Sequence, residues 1–97
     1  MSPKNEILAR IKQHPDELKS YGVKKLGLFG SFARSGQKSK SDIDILVDFE
    51  RDSKTFDNYM DLKFFLEKLF HRKVDLVIKD ALKTRIKRRV LSEVRYA

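Results

Sequence analysis

The sequence predicts an α/β (α+β) fold in which a small mixed sheet of about three strands is flanked by helices. Three observations carry this expectation. Short runs that are apolar or alternate acid with aliphatic recur at 23–29, 42–49 and 73–78, each bounded by turn formers or charge, as strands are. Before, between and after them lie segments whose apolar residues repeat at helical spacing. A chain of 97 residues, 40% hydrophobic and 10% aromatic, suffices for one small core and not for a second. Interleaved helices and strands then imply a sheet with helices packed against it.

Each element has its own signal. Ser2-Pro3 reads as an N-cap followed by proline at the first helical position, opening a short helix that buries Ile7, Leu8 and Ile11. His14-Pro15-Asp16-Glu17 repeats the pattern, with acids in the first turn complementing the helix dipole. Leu18 and Tyr21 face inward, and Gly22 ends this helix in a left-handed conformation. Val23 to Phe29 carries Lys24-Lys25 and then the apolar run Leu26-Gly27-Leu28-Phe29, a buried strand that stops at Gly30. A brief helix spans Ser31 through Arg34, and Ser35 to Ser41 is polar and rich in turn formers, a mobile loop.

Asp42 to Phe49 begins Asp-Ile-Asp-Ile, a strand with one apolar and one acidic face. Glu50 to Lys54 is a charged loop. A helix from about Phe56 to Phe70 places Tyr59, Leu62, Phe65, Leu66, Leu69 and Phe70 at helical spacing, a core stripe. Lys73 to Ile78 is the third strand. Leu82, Ile86, Val90 and Val94 mark an amphipathic last helix beginning near Ala81, with Lys83, Lys87, Arg88 and Arg89 on its basic face. Residues 1–97 thus read as one domain, 1–22 supplying the leading helices and 23–97 the remainder. His14 belongs to a helix start and His71 to a helix end; Tyr96, next to the last residue, is taken as a frayed or packed end rather than a modification site.

Composition narrows the chemistry. No apolar run approaches the ~18–20 residues of a membrane span, and Met1 to Glu6 lacks the apolar centre of a signal peptide, so a cytoplasmic protein is expected. There are no cysteines, which removes disulfides, thiolate zinc sites and cysteine nucleophiles. A metal must therefore be held by oxygen or histidine, and the two histidines stand far apart, which favours Mg²⁺ or Mn²⁺ on carboxylates. The formal charge of +8 is polarised: acids gather between Asp42 and Asp61, while the basic excess lies between Lys79 and Arg95. Such a basic end suits RNA, a triphosphate or an acidic protein surface, and a charged helix face is most commonly only a solvated one.

The candidate site begins at Gly30-Ser31. A glycine and a small hydroxyl residue at a strand-to-helix junction present backbone N–H groups to phosphate oxygens. Ten residues later come Asp42 and Asp44, which a strand points to the same face. Asp75 lies among Val74, Leu76, Val77 and Ile78, where an unpaired buried charge is costly. If the second and third strands are neighbours, the three carboxylates converge and can hold two divalent ions, the arrangement that clamps an in-line phosphoryl or nucleotidyl transfer. Asp42 and Asp44 then bridge the metals, Asp75 completes the ion nearest the attacking hydroxyl and accepts its proton, Gly30 and Ser31 hold the β- and γ-phosphates, and Arg34 offsets phosphate charge.

The run Leu28-Phe29-Gly30-Ser31-Phe32-Ala33-Arg34, the strand Ser41-Asp42-Ile43-Asp44-Ile45-Leu46-Val47 and the stretch Val74-Asp75-Leu76-Val77 together resemble the minimal nucleotidyltransferases (MNT-domain proteins) of the DNA polymerase β-like superfamily. The resemblance runs from about Val23 to the last helix. It implies the polymerase β-like fold, metal-binding roles for Asp42, Asp44 and Asp75, and a nucleotide-phosphate turn at Gly30 and Ser31. The family usually continues G-S-x-A-R-G, whereas here Ser35 holds the glycine position and Gly36 follows. Such proteins are typically antitoxins paired with a HEPN-domain RNase toxin, so the resemblance further implies Mg²⁺-dependent transfer of AMP from ATP to a tyrosine hydroxyl of that partner, in a type VII-like toxin–antitoxin pair. Size agrees, since so small a domain has no room for an acceptor pocket of its own. Two other functions stand beside this one: an antitoxin that acts by binding alone, docking through its basic or apolar helix faces, and an RNA-end transferase or RNA-binding module. No aromatic residues interleave with the basic run, which argues against the last.

Overall fold

The structure, a computed structural model, describes residues 2–34, 36 and 41–97. Helix α1 (Pro3–Lys12) starts as its sequence dictates: the Ser2 hydroxyl accepts from the Asn5 N–H at 3.2 Å, with proline in the first turn. Helix α2 (Pro15–Ser20) follows a one-turn break, and Gly22 then turns the chain at φ +75, where any Cβ would strike Ser53. Strand β1 (Val23–Phe29) runs into the single turn α3 (Gly30–Ala33). Strand β2 (Ile43–Phe49) leads to helix α4 (Phe56–Phe70), which the Thr55 hydroxyl caps through the Asn58 N–H at 3.1 Å and His71 closes in the left-handed region at φ 51. Strand β3 (Val74–Ile78), a 3₁₀ turn (Lys79–Ala81), helix α5 (Thr84–Glu93) and strand β4 (Arg95–Tyr96) complete the chain.

The sheet has the order β3-β2-β1-β4 and is mixed. β1 pairs antiparallel with β2 and with β4, whereas β2 and β3 run parallel, joined by α4 as a parallel pair requires. Leu26 and Leu28 of β1 and Ile43, Ile45 and Val47 of β2 meet Ile7 and Ile11 of α1 and Leu62 and Leu66 of α4 in the larger core. Leu28, Ile45, Leu62 and Leu66 are fully excluded from water, and each such side chain stabilises by about 1.5–3 kcal/mol. Leu46, on the opposite face of β2, joins Val90 and Val94 in a second, smaller core beneath α5.

Several expectations change here. The face of β2 that alternation marks as acidic is acidic only at Asp44 and Asp48; between them Leu46 is buried under α5. The last helix begins at Thr84 rather than near Ala81, because Lys79–Ala81 forms a tighter turn first. Ile86 is half exposed instead of facing the core, and Leu91 packs there with Val90. A fourth strand exists: Arg95 pairs with Leu28 and Tyr96 with Gly27, so of a frayed or a packed end Tyr96 is the packed one. Gly27 permits this approach, since a Cβ would sit 2.5 Å from Val94 Cγ2. The polar stretch from Ser35 to Ser41, including the Ser35 departure, lies almost wholly outside the described residues. Among the described residues, no helix is long and apolar enough to cross a membrane.

Candidate active site

Two ladder registers meet at one residue. Asp44 stands opposite Phe29 in the antiparallel pair and beside Asp75 in the parallel pair, so the end of β1, the start of β2 and the start of β3 converge on it. Phe29 is the last residue of β1, and the chain turns at Gly30 with φ +72 to begin α3. Glycine is required there twice over. Its backbone is left-handed, and a Cβ would lie 2.0 Å from Asp44 Oδ2. The carboxylate of Asp44 is thus packed against the bare α-carbon of the turn.

The electrostatics follow from this crowding. Burial, the neighbouring charges of Asp75 and then Asp42, and a hydrogen bond to the Asp75 side chain raise Asp44 to about 6, with Arg34 pulling the other way. Asp42 stands just before β2 and is exposed, as is Asp75 on the edge strand; only Asp44 is half-buried. Asp75 therefore does not carry the buried charge that its apolar neighbours suggest, because at a sheet edge its side chain reaches solvent while Val74 and Leu76 turn inward. Among the described residues none that is polar or charged is buried.

The turn itself is already engaged. The Gly30 N–H donates to Glu93 Oε1 at 3.1 Å, and Arg34 Nη1 donates to both oxygens of the same carboxylate at 3.0 Å. Sequence reasoning assigned that amide and that guanidinium to phosphate; here both hold Glu93. Glu93 was the residue that the reading missed. Its signal was available: it is the only acid between Ala81 and Ala97, and it stands in the last turn of a helix, where the dipole disfavours a negative charge. An acid in such a place implies a positive partner elsewhere in the fold.

The donor set suits a hard divalent ion. Among the described residues no three histidine, cysteine or acidic side chains stand close enough to hold an ion by themselves. Asp44 and Asp75 do meet, with Asp42 near enough to raise Asp44. Mg²⁺ is commonly bound by one or two carboxylates, with substrate phosphates and water supplying the rest. A pair of carboxylates that repel one another beside a glycine turn fits that pattern, and a cation between them would relieve the repulsion that raises Asp44.

Residues 11–97 match the nucleotidyltransferase domain. The protein adenylyltransferase MntA of Thermococcus cleftensis is 42% identical over 92 residues, which span 94% of this chain and 92% of that protein. A solved structure provisionally described as a minimal nucleotidyltransferase superposes with a TM-score of 0.82 at 32% identity, covering 95% of this chain and 93% of the other. A complex of the tri-AMPylated Shewanella oneidensis HEPN toxin with its MNT antitoxin shares the fold at a TM-score of 0.59 and 21% identity, covering 97% of this chain and 67% of that one.

Proposed function

This chain belongs to the nucleotidyltransferase domain family, and from that premise we propose that it is a Mg²⁺-dependent protein adenylyltransferase that moves AMP from ATP to a hydroxyl, a tyrosine, on a HEPN-domain toxin partner. The observation that carries the reading is the convergence of Asp44 and Asp75 against the Gly30 turn. It places paired carboxylates beside a phosphate-sized bend, and the relative with 42% identity is named for this activity. Full-length similarity to that relative favours adenylyl transfer over a binding-only role.

The residues divide the work as follows. Asp42, Asp44 and Asp75 would hold divalent ions jointly with the substrate phosphates, two of them when the nucleotide is bound, and the ions would supply Lewis-acid stabilisation to the reacting phosphate and the departing oxygen. Ser31, through its amide and hydroxyl, holds the triphosphate tail, and Arg34 adds positive charge beside it. The acceptor oxygen forms a bond to the α-phosphorus, the bond from that phosphorus to the α,β-bridging oxygen breaks, and pyrophosphate leaves. The hydroxyl proton passes to Asp75, the exposed carboxylate of the pair. Asp42 and Asp75 are exposed, so a hydroxyl carried by a second protein could reach them.

The test is transfer of label from α-labelled ATP, with Mg²⁺, to a HEPN-domain protein supplied as the partner. Label on that protein, abolished by Asp44→Asn, is the expected result. An unlabelled partner across Mg²⁺ and Mn²⁺ would sink the proposal.

A further inference from the structure

Glu93 is held more firmly than a surface glutamate needs to be. Its side chain retains 20% of its exposure, and it receives three hydrogen bonds, one from the Gly30 N–H and two from Arg34. The backbone on either side is anchored to the sheet. Val90 and Val94 are buried, the Val94 N–H donates to the Val90 carbonyl at 3.0 Å, and Val94 packs on the bare α-carbon of Gly27. Beyond it, β4 pairs with Gly27 and Leu28, and the Ala97 N–H donates to the Leu26 carbonyl at 2.9 Å. One helix end therefore grips β1 at Gly27 and the turn at Gly30 together.

We propose that Glu93 is a positioning residue for nucleotidyl transfer, fixing the Gly30–Ser31 turn against Asp44 and setting the reach of Arg34. A left-handed glycine is the least restrained residue a chain can have, so a turn that must hold a phosphate beside a metal-binding carboxylate needs an external tie. Glu93 is that tie. It takes the Gly30 amide and leaves phosphate recognition to Ser31, and it holds the Arg34 guanidinium beside the same turn. The role is carried by acceptor geometry, since Oε1 alone receives a bond from both donors.

The inference rests on the adenylyltransferase reading only for its kinetic part, and its structural part is measured without substrate. Glu93→Gln keeps one oxygen to accept from the Gly30 N–H and Arg34, and drops both the charge and the Oε2 bond from Arg34; Glu93→Asp keeps the charge and falls one methylene short; Glu93→Ala removes the acceptors and the charge. In the metal-free chain, amide exchange at Gly30, read by NMR, accelerates about tenfold or more in the Asp and Ala variants and stays within about threefold of the parent in the Gln variant. With ATP, Mg²⁺ and the HEPN partner, kcat falls about 10- to 100-fold in the Asp and Ala variants, KM for ATP moves less than about threefold, and Glu93→Gln restores most of kcat. A Gln variant as impaired as Ala, unchanged Gly30 exchange in Ala, or a loss expressed in KM alone would overturn the proposal. Absence of transfer by the parent chain would instead overturn the adenylyltransferase reading, and Gly30 exchange would still decide the role of Glu93. Should the Ala variant fail to fold, the Asp and Gln pair decides the matter.

Discussion

Asp44 and Asp75 are register partners on parallel strands, and the charge of Asp75 adds to burial in raising Asp44 toward its neutral form. The fold thus holds two acids in a geometry that is comfortable when one of them is neutral or when a cation lies between them. The first predictions follow from that arrangement.

Stability without metal should fall as Asp44 ionises. Its value is raised from 3.8 to about 6, so the contribution of the neutral acid is fully present below the unfolded value and is lost as pH rises through the folded one. Asp44→Asn removes this loss. Thermal unfolding of parent and variant at about pH 4 and about pH 7.5 should show the variant gaining on the parent at the higher pH. A constant difference across that window would contradict the assignment.

Mg²⁺ should stabilise the parent and not Asp44→Asn. An ion that binds the folded chain alone stabilises it by about 2.7 kcal/mol at a hundredfold excess over Kd, and the unfolding midpoint rises with its concentration. Asp75→Asn should reduce the response, and Ca²⁺, larger and less exacting in geometry, distinguishes charge relief from octahedral binding. Equal stabilisation of parent and Asp44→Asn would remove Asp44 from the ion site.

Transfer to the partner should fade on acidification through about pH 6 at limiting Mg²⁺, since the protonated Asp44 competes with the ion. Raising Mg²⁺ should move that fall to lower pH. A profile indifferent to Mg²⁺ would mean that another group controls it.

Gly30→Ala should abolish transfer and destabilise the fold by about 1–3 kcal/mol. The left-handed backbone disfavours any side chain, and the new Cβ would overlap the Asp44 carboxylate. Urea unfolding measures the first effect and the labelling assay the second. A variant with normal transfer would show that the turn tolerates displacement.

Leu66→Ala is the contrasting case. Leu66 is fully buried in the larger core, away from the carboxylates, and its truncation should cost about 2–5 kcal/mol. Well below the unfolding midpoint its kcat should equal that of the parent, which separates loss of packing from loss of site geometry.

Much of this was legible from one sequence because its local signals agree with its tertiary arrangement. Pro3 and Pro15 mark helix starts that the fold uses, and β1 and α4 span the residues that periodicity marks. The spacing of Gly30, Asp42 and Asp44 marks out a candidate site because turn and strand periodicity are local properties. What stayed hidden depended on contacts between distant segments. β4 is two residues long and exists only because Gly27 lets Val94 approach, which no propensity at 95–96 announces. Ile86 repeats at helical spacing yet faces solvent, because α5 starts later and leans on the sheet through Val90 and Leu91. The exposure of Asp75 depended on β3 being an edge strand, a fact of sheet order.

The tie between Gly30 and Glu93 spans 63 residues of chain. Contacts that distant form only after the intervening elements have found their places, and closing long loops is the slow part of reaching a mixed sheet. A chain still emerging from the ribosome can build β1 and its bend before α5 has been synthesised, and it then has the bend without its clasp. If Glu93 is the positioning residue proposed above, a chain with its carboxylates and glycine in place but without this clasp would still take its nucleotide and would transfer from it slowly.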